Sequence, residues 1–356
     1  MGEFKITYFY FNKEITKMRI GFNPNKDQVQ EPNSFFHQVI IPVYIPNQEG
    51  YFKDSFKILQ YCLESLFKTC HNKTYFTVVN NGSNNEVVEY LNNLYHSKKI
   101  NELIHTSNIG KINAVLKGIT GQNFKLITIA DADALFLNGW QNTTYEVFKA
   151  FPKAGAVCPT PSPKSFSNKT ANVIFENFFS NLLKFTAVKN PKALQYFANS
   201  IGNPEFYKNT HLEKYLTLSN GNVKAVIGAG HFVATYRSDV FSSLGVLFSD
   251  YSLGGNSEDE ILDKTVVRNG LWRLSTEDNF VYHMGNVEEE WMSQKLEKAI
   301  ISSDDRIEEI QFDKQKEKKI ISWIKNDLFY RFIFQKSIKK KFLIYKGLTK
   351  EEAKYY

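Results

Sequence analysis

The chain of 356 residues predicts an α/β protein, a mixed, mostly parallel sheet flanked by helices with a helical extension at the C-terminal end. Three observations predict this class. Short β-rich apolar runs alternate with segments of helical apolar spacing from residue 38 to 151, the pattern of right-handed βαβ units. The runs are apolar throughout rather than alternating, as strands covered on both faces are. The composition, 42% hydrophobic and 23% charged, is that of a globular chain long enough for one large domain with an appendage or for two domains.

The elements follow in order. "QVIIPVY" (38–44), closed by Pro46, fits a buried strand. "DSFKILQYCLESLFKTC" (54–70) spaces Phe56, Leu59, Leu63 and Leu66 as one helix face, with Asp54 or Ser55 as cap. "YFTVVNNGS" (75–83) reads as strand then turn, "NEVVEYLNNLYHSKK" (85–99) as helix, "LIHTS" (103–107) as strand and "GKINAVLKGI" (110–119) as helix. The strand "KLITIA" (125–130), the helix "WQNTTYEVFKAF" (140–151) and "GAVCPTPSP" (155–163), a strand running into a Pro loop, follow. Residues 172–218 read as helical and irregular, "AVIGAGHFVATY" (225–236) as one strand, "EDEILDKTVVRNG" (258–270) as helix and "NFVYHMG" (279–285) as a last strand. From about residue 288 the chain reads as helical, charged and then basic. This divides it into an N-terminal extension (1–36), a catalytic-type domain (37–287, halves 37–150 and 151–287) and a C-terminal region (288–356).

Composition excludes several classes. No apolar run approaches the roughly 18–20 residues that span a bilayer. The first residues, with Glu3, Lys5, Lys13 and Glu14, do not read as a signal peptide. Cys62, Cys70 and Cys158 form no metal pattern and cannot all pair, which suits a reducing cytosol. The net charge of +7 is uneven: residues 314–346 hold eleven Lys or Arg against Glu317 and Asp327. A basic tail on a slightly acidic body argues against general nucleic-acid binding and for a tail with its own role.

The chemistry-bearing stretch is "KLITIADADALFLNGW" (125–140), a buried strand that ends in Asp131-Ala132-Asp133. Two carboxylates so close repel each other and are costly to desolvate. Open α/β sheets bind ligands beyond the carboxyl ends of their strands, and an extended backbone would put both on one side. Such a pair suits a hard divalent cation sharing phosphate oxygens with a nucleotide. Taken alone, Asp-x-Asp is also an ordinary polar start to a loop.

Six segments in sequence order give the chain a resemblance to the family 2 glycosyltransferases of GT-A fold. "VIIPVY" resembles their first strand, "VVNNGSNN" their second strand and its turn, and "SNIGKINAVLKGI" their segment beside the nucleotide. "ADADALF" resembles their Asp-x-Asp, "GAGHFVATYRSDVFSSLG" their acceptor-side segment, and "GGNSEDEILDKTVVRNG" their Gly-rich loop and Glu-Asp helix. The resemblance implies nucleotide-sugar contacts from Pro42, Val43, Tyr44, Asn80, Asn81, Asn108, Gly110, Lys111, Asn113, Asp131, Ala132 and Asp133. It implies acceptor contacts from Gly230, His231 and Gly255, and Mn²⁺ or Mg²⁺ coordinated by Asp133 with His283 as a further ligand, while Asp131 holds ribose or assists the metal. Asn80 or Asn81 stands where many members have Asp, and Lys111 either meets a phosphate or is solvated.

The implied reaction is inverting transfer of a hexosyl or N-acetylhexosaminyl group from a nucleotide-diphosphate sugar, UDP foremost, to a glycan or lipid-linked acceptor. A carboxylate takes the acceptor proton: Asp259 first, Glu258 second, although acids at a helix N-terminus also simply complement its dipole. The implied setting is bacterial polysaccharide synthesis in the cytoplasm. The basic, aromatic helix at 316–342 either lies on an anionic membrane surface at the inner face of the cell membrane or packs on the domain with a solvated lysine face. The rival readings are a non-catalytic sugar-nucleotide or glycan scaffold and a haloacid-dehalogenase-type phosphatase using "SSDDR" (302–306).

Overall fold

The period-two alternation of β1 (His37–Val43) decides which helices cover it. Val39, Ile41 and Val43 pack with Leu59, Leu63 and Leu91 of helices α1 (Ser55–Thr69) and α2 (Asn85–His96). Ile40, facing the other way, packs with Ile112 and Val115 of helix α3 (Lys111–Ile119). The structure is a computed structural model describing Gly21, Asn23 and residues 26–28, 34–244, 248–254, 256–302, 310–313 and 317–356. Residues 1–33 and 34–356 form separate units, and every element named here belongs to the second. The expected N-terminal extension lies largely outside the described residues.

β2 (Thr74–Asn81) and β4 (Leu126–Ala130) flank β1 in parallel, and β3 (Glu102–Thr106) adds in parallel to β2. The remaining strands are β5 (Ala134–Phe136), β6 (Ala154–Cys158), β7 (Leu183–Ala187), β8 (Lys214–Asn220), β9 (Val223–Ile227), β10 (Val233–Arg237), β11 (Trp272–Thr276) and β12 (Val281–His283). Ten of the strands form one sheet in the order β3-β2-β1-β4-β10-β6-β11-β9-β8-β7, and β12 pairs with β5 alone. Helix α4 (Trp140–Ala150) follows β5. The first half is thus parallel βαβ, as expected, and β10 enters antiparallel between β4 and β6.

Three sequence expectations change. The run 225–236 is two strands, because Gly228 turns the chain at φ 104°. A Cβ there would lie 2.5 Å from the Ser165 carbonyl oxygen, so only glycine fits. The stretch 172–218 is not all helix: β7 and β8 pair antiparallel within it, and the alternation of β7, Leu183 and Phe185 in and Lys184 out, spans only five residues. β11 was legible only in hindsight, since "WRLST" carries a buried charge, Arg273, which bonds the Asn168 and Ala229 carbonyls.

The C-terminal region packs on the domain. Ile333, Phe342, Leu343, Leu348 and Tyr356 join Phe166, Phe185 and Leu216 in one core, and Phe185 N–H donates to the Lys346 carbonyl at 2.8 Å. No helix among the described residues is long and apolar enough to cross a membrane.

A buried polar chain joins two strands, α4 and a loop. Lys73 N–H donates to His71 Nδ1, so His71 Nε2 carries the proton that reaches the Tyr145 hydroxyl at 2.8 Å. That hydroxyl donates to His37 Nδ1 at 2.5 Å, and His37 Nε2 donates to Thr128 Oγ1 at 2.7 Å. Burial, with His71 adding to it, holds the His37 pKa well below its ordinary 6.5. A depressed histidine favours the folded state above the unfolded pKa and loses that contribution as pH falls. Stability should therefore decline below about pH 6.5, where unfolded His37 takes up a proton. Tyr145→Phe, which removes one hydrogen bond from each ring, should cost about 1–3 kcal/mol. Urea unfolding across pH checks both outcomes.

Candidate active site

β4 delivers Asp131 to the carboxyl rim of the parallel half, where Asp131 N–H donates to the Phe232 carbonyl of the neighbouring β10 segment at 2.7 Å. The extended backbone expected through Asp133 is not there. Ala134 N–H turns back to the Asp131 carbonyl at 3.2 Å, and the chain enters β5. β12 then pairs His283 with Ala134, and Met284 N–H donates to the Asp133 carbonyl at 2.8 Å. This register, not sequence proximity, sets His283 Nε2 3.4 Å from Asp133 Oδ2. Ser200 Oγ, 2.8 Å from His283 Nδ1, fixes the other side of the ring. Asp133 Oδ1 is buried and accepts no hydrogen bond. Burial pushes the Asp133 carboxyl up to about 6, His283 opposes that shift, and the Asp131 charge adds to it.

Asp131 is met by a different cation. Lys111, first residue of α3, reaches Asp131 Oδ1 at 2.6 Å and Glu258 Oε1 at 2.7 Å. Lys111 is therefore neither solvated nor free for a phosphate here; it bridges the end of β4 to the Glu-Asp segment. Burial works against its charge, yet the two carboxylates together hold its pKa above the ordinary lysine value. Gly110, at φ 89°, lets the chain pass under residues 251–252: a Cβ would meet Ser252 Cα and the Tyr251 oxygen, each at 2.9 Å.

The asparagines expected at the nucleotide mostly shape this rim. Asn113 exchanges bonds with Ser249, donating to its carbonyl at 2.8 Å and accepting from its N–H at 2.7 Å. Its amide holds the 248–254 loop against α3. Asn80 and Asn81 are buried. Asn80 accepts from Ser83 N–H at 3.0 Å, and Asn81 accepts from Ile109 N–H at 2.9 Å. Asn108 is exposed and accepts from Gly110 N–H at 3.2 Å. Pro42 and Val43 end β1 at the same rim, and Tyr44 beyond them is 41% exposed. Ala132 packs against the core beside them.

Asp259 opens the helical turns 259–268. Its Oδ2 lies 3.3 Å from Lys169 Nζ and 3.8 Å from Lys264 Nζ. One turn on, Asp263 is fully buried between Arg273 at 2.8 Å and His231 Nε2 at 3.3 Å. Burial pushes the Asp263 carboxyl up to about 6, with Arg273 and His231 opposing. His231 and Gly230 thus lie beside the Glu-Asp helix. Gly255 and most of "SSDDR" lie outside the described residues. Ser200, Lys169, Asp263 and Arg273 were missed by sequence reasoning, because each acts through a partner distant in the chain.

Among the described residues, no three His, Cys, Asp or Glu side chains gather into a cluster able to hold a metal. Asp133 and His283 nevertheless fit a divalent cation as two of its ligands. They present an unbonded buried carboxylate oxygen and a ring nitrogen oriented from behind, and adjacent ligands of a small cation about 2.1 Å away stand roughly 3 Å apart. The remaining ligands would have to come from outside the protein.

A parallel β3-β2-β1-β4 half, an antiparallel strand beside it and acids at its rim define an α/β transferase domain of GT-A type. Residues 39–210, just under half of the chain, match glycosyl transferase family 2. S. aureus TarS 1–349 in complex with UDP-GlcNAc is similar at 13% identity and a TM-score of 0.42, over 90% of this chain and 69% of that one. GalNAc-T7 with UDP, GalNAc and Mn²⁺ is similar at 12% identity and a TM-score of 0.45, over 71% of this chain and 44% of that one. No curated protein matches the sequence.

Asn113→Ala should leave the fold intact and loosen the 248–254 loop. Loss of two hydrogen bonds, each about 0.5–1.5 kcal/mol, should lower hydrogen-exchange protection at the Ser249 amide roughly tenfold.

Proposed function

We propose that the chain transfers a sugar from a nucleoside diphosphate sugar to a hydroxyl of a glycan or lipid-linked saccharide, with inversion at the anomeric carbon. The observation that supports this most is the meeting of Asp133 and His283 at 3.4 Å, beside the Lys111 bridge between Asp131 and Glu258. Asp133 and His283 would hold Mn²⁺ or Mg²⁺, which supplies Lewis-acid stabilisation to the departing diphosphate. UDP is the nucleotide that the family resemblance favours.

This chain's own residues do the rest. Lys111 trades one carboxylate for a diphosphate oxygen, which leaves Asp131 to accept from the ribose. Pro42, Val43 and Tyr44 line the nucleobase end, where the partly exposed Tyr44 ring supplies a stacking face. Asp259 takes the acceptor proton as the hydroxyl attacks the face opposite the leaving group. Its carboxylate is 26% exposed beside Lys169 and Lys264, so a hydroxyl can reach it. Glu258 is engaged by Lys111, which makes Asp259 the better base. His231, braced by Asp263, faces the acceptor side.

Calorimetry with UDP, GDP and dTDP, with and without Mn²⁺, tests the donor. Binding should require the metal and be lost in Asp133→Ala; metal-independent binding would overturn the site. Because the Asp133 carboxyl sits at about 6, protons compete with the cation below that pH, and Mn²⁺ affinity should fall up to tenfold per unit there. Asp259→Asn should keep nucleotide affinity while lowering transfer by ~10²–10⁴. Unchanged transfer would remove Asp259 as base. Nucleotide binding by the wild type with neither transfer nor hydrolysis would make it a scaffold.

A further inference from the structure

The helical turns from Lys319 to Ile333 are packed inside out. Their inward face carries a buried lysine, Lys325, whose Nζ meets Glu176 at 2.7 Å and also Glu317. Asn326, also on that side, bonds Ser322 Oγ at 3.2 Å. Of the large apolar side chains, only Phe329 and Ile333 help seat the helix in the core. The outward side is apolar instead: Ile320, Ile321, Trp323, Ile324, Leu328 and Phe332 are all exposed, Ile320 by 60%, Trp323 by 51% and Leu328 by 53%. On the domain beside the inward Phe329, Phe175 lies edge-on to it at 5.1 Å and is partly exposed, and Phe179 is 85% exposed. A soluble surface rarely leaves so many large apolar groups together unless they meet a partner.

The charges around the patch have one sign. Lys318 and Lys319 precede it, Arg331 lies within it, and Lys336 and Lys341 follow, all exposed, against the single acid Asp327. Two copies meeting through this face would bring like charges together. A nucleic acid would leave the apolar groups without partners. An anionic bilayer satisfies both features, taking the apolar side chains into its interfacial region and the lysines at its headgroups. We propose that the outward face of residues 319–333 docks the protein on an anionic lipid surface. The surface needs no donor and no metal, so it stands apart from the sugar-transfer reading.

Co-sedimentation of the full chain with mixed phosphatidylglycerol–phosphatidylcholine vesicles and with pure phosphatidylcholine vesicles tests it. Binding should favour the anionic vesicles and weaken with salt. Lys318→Glu with Lys319→Glu should reduce it roughly tenfold or more. Trp323→Ser with Leu328→Ser should reduce it comparably, while the urea midpoint stays unchanged because both side chains are exposed. Failure to bind either vesicle, or variants that bind as well as the wild type, would overturn the proposal. So would a dimer in sedimentation velocity that Trp323→Ser with Leu328→Ser returns to monomer, which would make a second copy the occupant.

Discussion

Two acids two residues apart at the rim of a buried sheet need positive charge brought to them. Unit charges 4 Å apart near a protein surface interact by about 4 kcal/mol, enough to dictate where neighbouring segments go. Lys111 comes from the first turn of α3 to Asp131, and His283 from β12 to Asp133. Neither side chain arrives unaided. Lys111 depends on Gly110 and on the loop that Asn113 clips in place; His283 depends on the β5–β12 pairing and on Ser200. The rim is therefore built from four distant stretches whose shared task is charge balance.

That balance also separates the two acids. Asp131 is already neutralised within the protein, whereas Asp133 keeps a buried oxygen with no hydrogen bond. The pair looks symmetric in sequence and is not symmetric in the fold. Lys111 extends the asymmetry toward Glu258, so the neighbour Asp259 is left with lysines at longer range and some exposure to solvent.

The sequence made the parallel half legible because each strand and helix there is specified by its own period: β1 to β4 and α1 to α4 need no distant partner to be recognised. The acids were legible for the same reason, an abrupt break in an apolar run. What was not legible depends on partners far along the chain. The turn after Asp131 is set by β12, more than a hundred residues on, and β11 is a strand only because Asp263 and two carbonyls satisfy Arg273. Nothing in the motif around Asn113 announces that Ser249, far along the chain, bonds both ends of its amide. A motif records which side chains are present and not which are already spoken for.

The basic helix shows the same limit from the other side. Its lysines and aromatics suited a packed helix with a solvated lysine face as well as a membrane-facing one, and the fold combines parts of both. Packing is achieved with Lys325 turned inward onto Glu176 and Glu317, and these partners hold its pKa up against the opposing effect of burial. Buried ion pairs stabilise no better than well-packed apolar side chains of similar volume. Folding stability alone would therefore favour turning Ile324 or Leu328 inward and the lysine out. The outward apolar face is thus not required by the packing of this domain.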